Sequence, residues 1–235
     1  MATIALGHLG REYNVSEGLS LYRLAWMNAA ADLRATEIIH ALNTRLGSYI
    51  EKDGVIESPH PFDYRLKPVE RQLDKPNLPA NLRTLFLFAA GTHYELAERP
   101  YVYGHGHPHH FNFERGENGH WTALNVDGLH APAAYQLTTV CINPSCPAKF
   151  PHAPEITLDR TRFMRQVNKI AQLTGEPYTV VAQAALLNIL HTAARRVDGT
   201  PEGQAPLNHF LALGKIASDV AATGLDPDLF TPTQP

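Results

Sequence analysis

The chain has 235 residues, a formal net charge of −3, 44% hydrophobic residues and 18% charged residues. This size and composition are typical of one large globular domain, or of one domain with a helical appendage. The acidic balance argues against a protein that binds nucleic acid by bulk positive potential, and no apolar run approaches the roughly eighteen residues that span a bilayer.

Residues 1–56 predict an N-terminal helical segment. A turn or helix is expected after Ser16, which can serve as its N-cap. Between residues 34 and 50, apolar side chains recur at spacings of three and four, which is the period of one face of an α-helix: Ile38, Ile39, Leu42, Leu46, Tyr49 and Ile50. Prolines and glycine then predict an irregular connection over residues 57–81.

Residues 82–156 predict a small antiparallel sheet. The apolar stretch 82–91 is expected to be a buried strand or core segment. The segments 101–115 and 120–128 predict a hairpin that turns at Asn118-Gly119. Residues 135–143 are β-branched and aromatic, and they predict a further strand.

Residues 157–226 predict a C-terminal helical bundle. Its first helix, 159–174, is capped by Thr157 or Asp159 and closed by Gly175. The segment 179–197 is apolar almost all round and should form the central buried helix, and an amphipathic helix follows it. Residues 227–235 predict a flexible tail. The expected fold is therefore α+β, with a helical segment, a small central antiparallel sheet and a helical bundle.

The most unusual feature is the histidine-rich stretch of residues 103–121. His105, His107 and His109 alternate, so along a regular strand they would share one face, and Glu114 follows on the hairpin. Imidazoles and a carboxylate in this arrangement are typical ligands of Zn²⁺, Fe²⁺ or Mn²⁺. The alternative, which we favour slightly, is an exposed hairpin whose histidines are ordinary polar strand residues.

His107-Pro108-His109 and Glu114 resemble the His-x-His-x(3,4)-Glu core of the cupin metal motif. The same stretch partly resembles the His-x-His-x-Asp-His signature of metallo-β-lactamase-like hydrolases, with His109 at the position of the metal-bridging aspartate. Each resemblance covers only about a dozen residues and implies a metal-dependent enzyme, and the chain is assigned to neither family.

A second possible metal site follows the predicted strand. Cys141, Cys146 and His152 lie on a short proline-containing segment, and His130 or His120 can complete a tetrahedral structural zinc site. The alternative, again the favoured one, is a turn with two small, half-buried cysteines. The lone His40, His191 and His209 lie among apolar neighbours and are interpreted as histidines at the edge of the core.

A row of cations lies on the helix 159–174. Arg162, Arg165 and Lys169 follow the spacing i, i+3 and i+7, which places them on one side, where they could contact phosphates of a nucleic acid. Six basic and three acidic residues stand between positions 159 and 198, and Arg195 and Arg196 belong to this excess. A solvated helix face is the simpler interpretation.

Three functional hypotheses follow. The preferred one is a cytosolic accessory subunit that docks on a nucleoprotein or protein complex, with a structural zinc as an option. The second is a metal-dependent enzyme that uses the histidine-rich hairpin. The third is a metal-free helical protein-interaction module. The two cysteines offer no disulfide framework and the N-terminus has no signal-like stretch, which predicts a cytoplasmic location. Nucleophile-elbow, phosphate-loop and dinucleotide motifs are absent from the sequence.

Overall fold

Helices and two small sheets share one hydrophobic core in this protein. The computed structural model describes residues 2–7, 29–108, 112–142, 159–197 and 201–231. Within these residues the chain has a mixed α+β fold, which confirms the predicted class. None of the described helices is both long and apolar enough to cross a membrane.

The N-terminal segment begins with a strand, which the sequence did not predict. β1 (Ala2–Gly7) is followed, after residues outside the description that include the predicted cap Ser16, by α1 (Ala29–Asp53). The periodic apolar residues of this helix are buried as predicted, and Ile38, Leu42 and Leu46 are fully covered.

The predicted irregular connection of residues 57–81 contains regular structure. β2 (His60–Pro61) leads into a 3-10 helix (Phe62–Arg65), and α2 (Lys67–Leu73) follows directly. Pro68 stands in the first turn of α2, where its missing N–H costs no helical hydrogen bond. The predicted irregular connection is wrong here, because this proline was interpreted as a helix breaker although the first turn of a helix accepts it.

The predicted β region contains two helical stretches that correct the prediction. Residues 82–91 belong to α3 (Ala80–Ala97), where Leu82, Leu85, Phe86 and Ala89 are buried at helical spacing. The predicted strand at 135–143 is instead α4 (Ala133–Leu137) and α5 (Thr139–Ile142). Both short helices pack against the C-terminal bundle, and this packing overrides the strand preference of their β-branched residues.

The remaining segments of this region are strands, in two three-stranded sheets. They are β3 (Tyr101–Gly104), β4 (Phe113–Arg115), β5 (Trp121–Val126) and β6 (Leu129–Pro132). One sheet has the order β1-β5-β4 and the other β2-β6-β3, in which the β2-β6 pair is parallel.

The predicted hairpin joins β4 and β5, but its turn is shifted by one residue. The amide of Gly119 donates to the carbonyl of Gly116 over 2.9 Å, so Glu117 and Asn118 are the central residues. Gly119 follows them with a φ of +77°, a left-handed conformation that glycine adopts without strain.

The C-terminal bundle has the predicted helices. α6 (Arg160–Thr174) is capped by Asp159, whose carboxylate accepts from the amide of Thr161 over 2.8 Å, and Gly175 ends it at a φ of +72°. α7 (Tyr178–Ala194) is the central helix, surrounded by α2–α6 and by α8 (Pro201–Val220).

The expected flexible tail is ordered in part. Pro227–Phe230 forms a 3-10 helix against α3 and α8, and the ring of Phe230 is buried. Asn81 donates to the carbonyl oxygens of Leu229 and Thr231, which ties this segment to the start of α3. Residues 232–235 lie outside the description.

Candidate functional site

The predicted alternation of the histidine-rich stretch does not occur, because β3 ends at Gly104. Gly106 has a φ of +86°, so the chain turns between His105 and His107. The Nε2–H of the fully buried His105 donates to the carbonyl of Leu124 over 2.7 Å, and its Nδ1 accepts from the amide of His107. Both ring nitrogens are therefore occupied, and burial lowers the pKa of His105.

His107 has different hydrogen-bond partners from His105. Its Nε2 accepts a hydrogen bond from Nη1 of Arg65 over 3.0 Å, since a guanidinium can only donate. Glu114 is exposed on β4, where the neighbouring Phe113 is the buried residue. His109 lies outside the described residues. In the part of the chain that the structure describes, three or more metal-ligating side chains do not come together.

The second possible metal site is only half described. The ring of His130 stacks on Tyr103 with centroids 4.2 Å apart and meets the edge of Tyr101. Cys141 is half-buried on α5. Cys146 and His152 lie outside the described residues, so the zinc hypothesis stays a prediction.

The basic row lies on α6 as predicted, but one of its cations is paired within the chain. Lys169 forms an ion pair with Glu37 of α1, which also accepts from Arg34 over 2.8 Å. Hydrogen bonds from Lys169 and Arg34 lower the pKa of Glu37. Arg165 is exposed. A role of this row in nucleic-acid binding stays a prediction.

A pocket of about 480 Å³ lies where the first 3-10 helix, the β3–β4 connection, α4 and the C-terminal end of α7 meet. Its described lining combines guanidinium, imidazole, hydroxyl and amide groups with apolar surface. The polar lining residues that matter for its chemistry are Arg65, His107, Asn112, Asn125, Asp127, Tyr135, Asn188, His191, Arg195 and Arg196.

Arg65 forms one wall of the pocket and is only 5% exposed. Its Nη2 donates to the carbonyl of Gly106 over 2.5 Å and its Nη1 donates to His107. Its Nε–H is buried without a hydrogen-bond partner among the described residues. The hydrogen-bond partners that the described residues offer Arg65 are neutral, and the carboxylate of Asp127 acts on its charge only electrostatically.

Two further guanidinium groups stand at the rim, directly after α7. Arg195 is exposed and Arg196 is half-buried, and the buried Nε of Arg196 has no hydrogen-bond partner among the described residues. Gln72 holds this turn in place, because its Nε2 donates to the carbonyls of Ala194 and Val197 over 2.8 and 3.0 Å. The described lining contains three arginines and a single carboxylate, that of Asp127.

Tyr135 and His191 form the buried floor of the pocket. The tyrosine oxygen lies 2.9 Å from Nδ1 of His191. Burial raises the pKa of Tyr135 to about 12 and lowers the pKa of His191 well below its ordinary value. At neutral pH the phenol therefore keeps its proton, the imidazole is neutral, and the phenol can donate to Nδ1.

Asparagines cover the side of the pocket that faces the sheet. Asn112 donates to the carbonyl of His107 over 2.9 Å, and the amide of Asn125 lies 3.5 Å from the carbonyl oxygen of the Asn112 side chain. Asn125 has a φ of +52°, which costs energy for most residues and least for asparagine or glycine. The strained residue lies at the pocket, and backbone strain of this kind is found most often at functional sites.

The sequence did not predict this site. Among the predicted ligands that the structure describes, only His107 lines the pocket. The adjacent Arg195 and Arg196 were noticed as part of a local basic excess, and His191 was interpreted correctly as a core histidine. Arg65 and Tyr135 gave no signal, because neither belongs to a spacing that indicates chemistry.

Comparison with known proteins gives no relative: no protein-family model, curated protein or solved structure matches the chain.

Proposed function

We propose that this chain binds a small anionic molecule that carries a phosphate or carboxylate group, in the pocket between Arg65, Arg195 and Arg196. The observation that carries the proposal is the buried guanidinium of Arg65, whose Nε–H lacks a partner among the described residues. A buried charge is costly unless an opposite charge compensates it. A bound anion supplies that compensation.

The charges around the pocket favour this ligand class. The described lining has three guanidinium groups and one carboxylate, and burial keeps His191 neutral. The lining therefore has an excess of positive charge. Guanidinium groups present planar pairs of donors that match the oxygens of phosphates and carboxylates. Hydrogen bonds between such charged partners are about twice as strong as those between neutral groups.

The size of the pocket and its polar groups narrow the expected class of ligand further. A volume of about 480 Å³ fits a small molecule and falls within the usual range of ligand pockets. Asn112, Asn125 and Asn188 provide amide donors and acceptors beside the arginines. The ligand is therefore expected to carry hydroxyl or amide groups in addition to its anionic group.

Calorimetric titration with inorganic phosphate and with succinate tests the proposal and distinguishes the two anionic groups. The double variant Arg195→Gln/Arg196→Gln changes the rim and leaves the buried Arg65 in place. Loss of charge-assisted hydrogen bonds worth about 1.5–3 kcal/mol each should weaken binding by more than tenfold. Arg71→Gln is the matched control, because Arg71 is exposed on α2 and its side chain contacts only a carbonyl one turn away.

Two outcomes decide the matter. Binding that weakens in the rim variant, persists in Arg71→Gln and falls with added sodium chloride supports the proposal. Absence of binding for both probes, or equal binding by the rim variant and the wild type, overturns it.

The docking function expected from the sequence is compatible with a ligand pocket and is kept as a separate proposal. Its structural zinc can be tested by metal analysis of the purified protein, with Cys141→Ser as the variant. A stoichiometric zinc that is lost with Cys141 supports the accessory-subunit hypothesis. A metal that is lost instead with His107→Ala supports the enzyme hypothesis based on the histidine-rich hairpin.

A further inference from the structure

A line of four side chains leads from the floor of the pocket to the protein surface. Tyr135 lies 2.9 Å from Nδ1 of His191, and the ring of His191 is 5.5 Å from the ring of His93, measured between centroids. Nε2 of His93 lies 3.1 Å from a carboxylate oxygen of Asp63. Both imidazoles are buried, whereas the side chain of Asp63 is 76% exposed.

The hydrogen-bond partners determine where the protons of a relay along this line would lie. The carboxylate of Asp63 can only accept, so His93 carries its proton on Nε2 and presents a lone pair at Nδ1. The phenol of Tyr135 can donate to Nδ1 of His191, and the relay uses that direction, which places the proton of His191 on Nε2. The two remaining nitrogens are complementary: Nε2 of His191 is a donor and Nδ1 of His93 is an acceptor.

Both of these nitrogens are buried without a hydrogen-bond partner among the described residues. A rotation of the buried rings toward each other would join them and complete an unbroken chain of hydrogen bonds. Phe62 seals this part of the line from water, because its ring stacks on His93 at 4.0 Å and meets the rings of Tyr135 and His191 edge-on.

We propose that Tyr135, His191, His93 and Asp63 form a proton relay that gives the pocket general acid–base activity toward a bound anionic molecule with an ionisable O–H group. This inference rests on the anion-binding function proposed above. It adds a reaction class, namely proton transfer to or from the ligand, and it assigns to Tyr135 the contact with the ligand.

The transfer balances in protons and charge. A ligand O–H proton passes to the oxygen of Tyr135 as the phenol proton moves to Nδ1 of His191. The Nε2 proton of His191 moves to Nδ1 of His93, and the Nε2 proton of His93 moves to the carboxylate of Asp63, which releases it to solvent. The ligand loses one proton and the solvent gains one, while each imidazole ends as its other neutral tautomer and returns when the flow reverses.

The charged groups around the relay favour proton movement outward. Arg65 and Arg195 act on His191 and Tyr135 from the pocket side, and both oppose positive charge on the imidazole. On the outer side, burial lowers the pKa of His93, and Asp63 and Glu70 offset that lowering in part. A proton therefore meets positive groups at the pocket and negative groups at the surface.

Nuclear magnetic resonance of the wild-type chain tests the relay directly. Nitrogen shifts of the imidazoles should show that both His93 and His191 carry their protons on Nε2. The Nε2 proton of His191 should exchange with solvent deuterium faster than the backbone amides of Ile189 and Leu190 in the same helix, because the relay delivers it to the surface without opening of the core.

The variant Asp63→Asn keeps the shape of the exposed side chain and removes its basic carboxylate. We expect exchange of the His191 ring proton to slow by roughly a hundredfold or more, because a positioned base contributes on the order of 10²–10⁴-fold to proton transfer. Asp74→Asn is the matched control, since Asp74 is exposed at the end of α2 and outside the relay. In Asp74→Asn, the ring proton of His191 should exchange at the wild-type rate.

The relay is overturned if His191 carries its proton on Nδ1, or if Asp63→Asn exchanges at the wild-type rate. Calorimetry with inorganic phosphate on the wild-type protein separates this failure from failure of the proposed function. Phosphate binding without the expected tautomers and exchange refutes the relay alone. The expected tautomers and exchange without phosphate binding support the proton route and refute anion binding as the use of the pocket.

Discussion

Replacement of Leu190 by alanine should destabilise the fold strongly, because α7 is the centre of the core. Leu190 is fully buried in a helix whose neighbours Leu186, Leu187 and Ile189 are also fully buried. Truncation removes its transfer free energy and leaves a cavity that surrounding helices fill only in part. Measured losses for such changes are about 2–5 kcal/mol. We expect a value in this range, since α7 is packed on several sides.

Urea unfolding followed by circular dichroism measures this loss, and thermal unfolding provides a second value. For a chain of this size, 1 kcal/mol lowers the melting temperature by roughly 2–4 °C. Leu87→Ala is the matched control, because Leu87 is also a helical leucine but is 58% exposed. A loss below about 0.5 kcal/mol for Leu190→Ala, similar to that of an ordinary surface substitution, would refute the central position of α7.

Three further predictions concern packing and pH. Gly47→Ala should cost about 1–3 kcal/mol in urea unfolding, because its Cβ would overlap the carbonyl oxygen of Tyr103, whereas Gly91→Ala has open space and should cost nothing. Phe230→Ala should lower stability by on the order of 3 kcal/mol, and a change near zero would show that the tail is not docked. Because burial lowers the folded-state pKa of His191, the unfolded state binds the proton first, so urea midpoints should fall as pH drops below about 6.5; a constant midpoint would contradict this.

The C-terminal helices were predictable because their signals are local. Asp159 supplies the cap of α6, Gly175 ends it, and the apolar stretch of α7 is too long for a strand. The hairpin between β4 and β5 was predictable from a local signal, Asn118-Gly119, although the turn centres on Glu117 and Asn118 and Gly119 follows it. In each case the residues that decide the structure lie within a few positions of one another.

Composition alone does not decide the structure of short apolar segments, and the strand predicted at 135–143 was wrong for that reason. Residues 82–91, predicted as a buried strand or core segment, are a core segment in a helix, and their apolar density obscures the helical spacing of Leu82, Leu85 and Phe86. At residues 135–143, Thr138 turns its hydroxyl back to the carbonyl of Tyr135 over 2.8 Å. That local bond competes with strand pairing, which is typical of threonine near turns.

The pocket and its relay were beyond prediction because their residues come from distant parts of the chain. Asp63, His93, Tyr135 and His191 stand on four different elements, and no spacing relates them in the sequence. The histidine-rich stretch drew attention instead, although His107 is the only histidine of that stretch that lines the pocket among the described residues. In this protein the number of histidines in a stretch of sequence is therefore a weaker guide to the pocket than the burial of individual histidines.

The geometry of one tetrapeptide explains how the pocket and the relay are held together. Phe62–Arg65 forms a 3-10 helix, in which residues three apart lie on the same side. Phe62 and Arg65 are therefore both buried, one against His93 and the other in the wall of the pocket, while Asp63 stays exposed and reaches Nε2 of His93. A single turn thus sets the anion-binding charge, the water-excluding ring and the outer end of the relay, so a movement of this turn on ligand binding would act on all three at once.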